Sequence, residues 1–122
     1  MAAPNILSAT SIYGKTVGAA LDTTLTTTLL TCAANKVLKI NSIIVANVDG
    51  TSAADASVTF YDSSATASYR IASTVSVPAD STLVVLGKDS PIYLEEGDKI
   101  TGGASANADL QCTVSYDELD DA

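Results

Sequence analysis

Residues 110–117 read LQCTVSYD, with apolar and polar side chains alternating at every position. A period of two belongs to a strand with one face on a core and the other in water. The pattern recurs in residues 56–61, where Ala56, Val58 and Phe60 alternate with Ser57, Thr59 and Tyr61. Residues 23–32 (TTLTTTLLTC) and 37–48 (VLKINSIIVANV) are dense in β-branched and apolar residues and read as further strands. Turn residues separate the runs: Asp49-Gly50, Pro78 with Asp80, and the acidic turn EEGD at 95–98. No stretch offers an amphipathic helix long enough for a parallel crossover. About eight short strands with turn signals at such spacing predict an all-β chain, an antiparallel β-sandwich of jelly-roll-like form.

Local expectations follow from the same periodicity. Within 37–48, Leu38, Ile40, Ile44, Ala46 and Val48 share one face, while Ile43 and Val45 lie on the other. That second apolar face calls for a cover, from this chain or a neighbour. The unbroken run TLVVL at 82–86 suggests a strand buried on both faces. Tyr116 is in phase with the inward set of the last strand. Residues 102–109 (GGASANAD) read as a flexible loop, and 117–122 as an acidic tail. Residues 1–21 form an N-terminal arm or edge strand, and 22–122 a single β-domain.

Composition narrows the chemistry. Hydrophobic residues make up 47% of the chain and aromatic ones only 5%, so the core must be built from Val, Ile, Leu and Ala. The net charge of −8 and the dispersed cations Lys15, Lys36, Lys39, Arg70, Lys88 and Lys99 argue against nucleic acid or an anionic membrane as partner. A basic protein surface is the better complement. There is no His, and the two cysteines, Cys32 and Cys112, sit far apart at apolar positions of strand-like runs. They read as small buried hydrophobes, with a bridge between them as the alternative. No base accompanies the many Ser and Thr hydroxyls, so neither an enzyme nor a cofactor is expected. Glu95, Glu96 and Asp98 are the one tight carboxylate cluster; an exposed turn is the simpler reading and a calcium site the other. Neither a signal peptide nor a run of roughly 20 apolar residues is evident, which predicts a soluble chain made in a cytosol.

The remaining candidates are surfaces. Of the five tyrosines, Tyr61 and Tyr93 fall out of phase with the apolar sets of their strands, as interface anchors do. With Ile43, Val45, Val84 and Leu86 they make up the candidate interface. A carbohydrate groove flanked by Tyr61, Tyr69 or Tyr93 is the other use of these rings.

Four segments carry a family resemblance: NILSATSIYGKT, NSIIVANVDGTSAADASVTFY, VSVPADSTLVVLGKDSPIYLEEGD and SANADLQCTVSYDEL. Together they span most of the chain, and it resembles small virion proteins of tailed marine phages, including cyanophages. VPADSTLVV and IYLEEGD are the most recognisable parts, and both are strand-and-turn motifs. The resemblance implies a non-enzymatic virion component, foremost a head decoration (cement) protein contacting the major capsid protein, often as a trimer. A tail, neck or fibre protein is the alternative. It implies assembly in the host cytoplasm and carries over no functional residues.

Overall fold

The computed structural model describes residues 11–120. They form nine strands: β1 (Ser11–Ala20), β2 (Thr27–Thr31), β3 (Lys36–Asn47), β4 (Ala54–Asp62), β5 (Ala67–Val77), β6 (Thr82–Leu86), β7 (Ile92–Leu94), β8 (Lys99–Ala104) and β9 (Leu110–Asp120). No helix occurs among the described residues. All pairings are antiparallel, in two sheets. Sheet one has the order β1-β9-β3-β6, with β7 beside β6 along the same edge of β3. Sheet two has the order β2-β8-β4-β5.

One apolar core draws on the inner faces of both sheets. Sheet one contributes Leu38, Ile40, Ile43, Val45, Leu94, Leu110, Cys112 and Val114; sheet two contributes Leu30, Ala54, Ala56, Val58, Val77 and Ile100. The expected division of β3 between two faces is corrected here. Ile40 pairs with Tyr116 and Ser42 with Ser115, so Asn41 is an extra residue in a bulge. The bulge resets the phase: Leu38 and Ile40 point inward before it, Ile43 and Val45 after it, and both of the latter are fully buried. Ile44 and Ala46 are left on the outer face, half-buried.

Other local expectations change for identifiable reasons. β6 is an edge strand, so its apolar run is not covered on both sides. Val84 faces outward opposite Ile44, while Leu86 is buried opposite Ile43. Gly102 and Gly103 belong to β8 rather than a loop. A Cβ on Gly103 would stand 2.5 Å from the Leu25 Cα, so only glycine lets the 21–26 segment press this closely on the sheet. Residues 117–120 are not a tail. They complete β9 between β1 and β3, and Leu119 and Glu118 are buried. Tyr116 is half-buried against the core. The part of the N-terminal arm within 1–10 lies outside the described residues; 11–20 pair with β9 at every position.

Polar groups close both ends of β3's inner face. At one end the buried Asn47 donates from Nδ2 to the Ser52 and Val77 carbonyls (3.0 and 2.9 Å) and accepts the Asp49 N–H (2.9 Å). At the other, the Glu118 carboxylate accepts from Lys15 Nζ at 2.6 Å and from Lys36 Nζ, which also lies 3.5 Å from Asp120. Glu118 sits opposite Leu38 in register, on the inward side. Hydrogen bonds from Lys15 and Lys36 hold its carboxyl below the usual range, and the same contacts raise both ammonium groups.

Candidate interaction surfaces

The six sequence-derived interface residues divide into two groups. Ile43, Val45 and Leu86 are core, sequestered within a single copy, and cannot meet a partner. The reason is the pair of register shifts: the Asn41 bulge turns Ile43 and Val45 inward, and a second between Ile43 and Ile44 places Leu86 opposite Ile43. Val84 is 61% exposed and Tyr93 44% exposed. Tyr61 is half-buried on the outer face of sheet two, with the Lys99 ammonium 5.7 Å from its ring centroid.

Two further exposed apolar residues stand on β5: Tyr69 (56%), which the sequence offers only as a groove aromatic, and Val75 (37%), which periodicity does not single out. With Val84 and Tyr93, four of the seven large exposed apolar side chains among the described residues stand on β5, β6 and β7. These are edge strands of the two sheets, and β5 contacts β6. β5 also shows two register shifts against β4, which is why simple alternation does not find its exposed positions. Between the sheets here, Phe60, Tyr69, Arg70, Ile71, Ile92 and Tyr93 line a cleft of about 210 Å³ with mostly apolar walls. Tyr69 and Tyr93 thus flank one cleft, whereas Tyr61 lines a separate hollow on the sheet-two outer face.

The acidic turn is built differently from an open carboxylate cluster. Asp98 is buried; its Oδ1 accepts the Ser63 N–H and its Oδ2 the Glu95 N–H, both at 2.9 Å. Glu96 accepts the Asn35 N–H at 3.2 Å. The Asp98 carboxylate therefore ties the 95–98 turn to the loop after β4, and Glu96 ties the same turn to the segment before β3, correcting the expectation of a wholly exposed turn. Gly97, at φ 88°, makes the turn possible and donates to the Cys32 carbonyl at 3.0 Å. Among the described residues no group of three or more His, Cys, Asp or Glu side chains could hold a metal ion.

Both thiols are free and buried, one in each half of the core. Burial pushes Cys32 and Cys112 up to about 11, and Cys32 Sγ donates to the Lys36 carbonyl at 3.2 Å. Neither has the depressed pKa or electropositive setting of a nucleophile.

No protein-family model, curated protein or solved structure matches this chain.

Proposed function

We propose that this chain is a non-enzymatic structural protein of a tailed-phage virion, a decoration (cement) protein that binds the head shell as a trimer. The observation that carries the reading is the gathering of Tyr69, Val75, Val84 and Tyr93 on the β5–β6–β7 side. Large apolar side chains gathered on one side of a small acidic domain are what an interface offers, with aromatic anchors and few charges. The resemblance of the four segments to marine phage virion proteins supplies the context. Each copy would contribute modest contact, and many copies on one shell would add avidity against the pressure of a packed genome. Contact with the major capsid protein would use this side and the Tyr69–Tyr93 cleft.

The strand orders support a jelly-roll reading of the fold. With the three-residue β7 set aside, eight strands remain in two four-stranded sheets, β1-β9-β3-β6 and β2-β8-β4-β5. Each sheet interleaves strands from the two ends of the chain, as two Greek keys wound together do.

The test is the position and symmetry of the chain on the particle, with its mass in solution. Cryo-electron microscopy is expected to show it at threefold positions on the head shell, and sedimentation to give a mass of three copies. Sixfold or helical copies on the tail would assign it to the tail instead. A strict monomer in solution, with the chain absent from purified particles, would sink the reading.

A further inference from the structure

The outer face of sheet two is unlike the rest of the surface. Ser57, Thr59 and Tyr61 project from β4 on this side, and the register places Gly103, Thr101 and Lys99 of β8 beside them in that order. Two hollows open on the face, one on each side of Leu25. The first, about 220 Å³, is lined by Asp55, Ser57, Arg70 and Thr74 among others. The second, about 260 Å³, is lined by Thr26, Thr28, Tyr61, Ser68, Lys99 and Thr101. The Ser57 and Tyr61 rows lie four residue steps apart along β4, a span of about 13 Å.

Thr59 lies between the hollows, flanked by Arg70 and Thr101 in register. It is only 6% exposed, and its hydroxyl is buried without a hydrogen-bond partner among the described residues. Buried hydroxyls are normally satisfied; this one lies below the surface and lines neither hollow, so it marks the strain of the covered strand rather than a ligand contact. Two residues at the hollows are also held in the left-handed region, Leu25 at φ 59° and the β-branched Thr74 at φ 48°. Strain of this kind persists only where the surroundings impose it, and it gathers at functional sites. Neither cation on the face is spent in a salt bridge with the described residues: Lys99 stands over Tyr61, and Arg70 donates to the Ser73 hydroxyl at 3.2 Å.

We propose that this face binds an uncharged oligosaccharide, laid across both hollows and over Leu25, which borders each of them. Sugar hydroxyls both donate and accept, which suits a floor of Ser and Thr hydroxyls edged by Lys99, Arg70 and Asp55. Tyr61 supplies the apolar surface and phenol that fix a ring in place. A polyanionic glycan is disfavoured by the field of a chain with net charge −8. A protein partner fits the β5–β7 side better, because that is where the exposed apolar groups gather. This site stands apart from the virion reading, and either can fail without the other.

The experiment is calorimetric titration of the full chain with cellohexaose, maltohexaose, xylohexaose and chitohexaose, with an alginate hexamer as the acidic counterpart. Amide shifts of the labelled protein are followed in parallel. At least one neutral hexamer should bind saturably and move Thr28 and Thr101. Tyr61→Ala and Lys99→Gln should each weaken it by about tenfold or more, the scale of one good contact. Tyr93→Ala should leave it unchanged. The proposal is overturned if no neutral hexamer saturates at millimolar concentration, or if only alginate binds. Shifts confined to the Tyr69–Tyr93 cleft, or Tyr61→Ala folding normally with unchanged affinity, would overturn it equally.

Discussion

Strands β3 and β4 hold corresponding places inside the two sheets, yet they keep their apolar residues inward by different means. β4 runs against β8 for six consecutive pairs without a shift, from Ala56 with Ala104 to Tyr61 with Lys99. Its inward set therefore keeps one parity: Ala54, Ala56, Val58 and, partly buried, Phe60. β3 carries one residue too many, and the bulge at Asn41 absorbs it so that Leu38, Ile40, Ile43 and Val45 all reach the core. A strand without a bulge tolerates no change of parity, whereas a bulged strand holds a spare residue that parity does not need.

Deleting one residue from each strand is the strongest test of that difference. Removing Ser57 places Ala56 next to Val58 and turns one half of β4 to the wrong face. The loss should exceed the whole stability of such a domain, about 5–15 kcal/mol, and abolish the cooperative thermal transition. Removing Asn41 leaves Ile40, Ile43 and Val45 on one parity, so the transition should survive. Circular dichroism melts of the two deletions decide the matter; equal loss in both would break the comparison. Within the intact strand, Ile43→Ala should cost about 2–5 kcal/mol in denaturant titration, because the side chain is sealed in the core and a cavity remains. A cost near zero would return Ile43 to the surface.

The ends of β3's inner face differ in a further way, and pH separates them. Asn47 carries no charge, whereas Glu118 is held ionised by Lys15 and Lys36. A carboxyl whose folded pKa is lowered adds stability above its ordinary value, and the addition is lost as pH falls through the lowered one. Asp22 and Asp49, lowered by bonds from Thr24 and Thr51, act in the same direction. Stability should therefore fall on acidification below the usual carboxylate range, and Glu118→Gln should flatten that fall. On the alkaline side the raised thiols reverse the sign. Stability should decline as pH climbs from 9.0, the ordinary thiol value, through about 11. An unchanged acid limb in Glu118→Gln would show that the Lys15–Glu118–Lys36 group is not what the acid disrupts.

Legibility in the sequence follows the same division. An all-β chain of antiparallel strands could be read because the unbulged stretches, 56–61 and 110–114, carry their period openly. Nothing in VLKINSIIVANV announces that Asn41 is the extra residue, so Ile43 and Val45 were assigned to the wrong face. Edge position is equally hidden. TLVVL reads as buried on both sides until the topology places β6 at the margin, and β5's two shifts conceal Val75. The gathering of residues 69, 75, 84 and 93 on one side depends on which edges lie together, a long-range fact that local pattern does not hold. Thr59 looked like an ordinary outward residue of a half-exposed strand; only the covering of the β4–β5–β8 face makes its hydroxyl an orphan.

That hydroxyl gives a smaller effect with the opposite sign. Thr59→Val removes a buried group that has no partner among the described residues and keeps the branched shape, so the unliganded protein should gain about 1 kcal/mol in denaturant titration. A loss of similar size would mean that the hydroxyl is satisfied in solution, by water for instance.

Val84→Ser should have the smallest effect on the single copy, and it bears most directly on what the edge of sheet one is for. Val84 is paired across from Ile44 but points away from the core, so its replacement leaves no cavity, and stability should stay within about 0.5 kcal/mol. Two residues further on, Leu86 belongs to the same strand and is buried, so Leu86→Ser should be costly where Val84→Ser is not. If the β5–β7 side is an interface, Val84→Ser should shift the sedimentation equilibrium toward smaller species while the melting curve at low concentration stays put. If both assembly and stability are untouched, Val84 is an ordinary exposed valine, and the interface must rest on Tyr69, Val75 and Tyr93 alone.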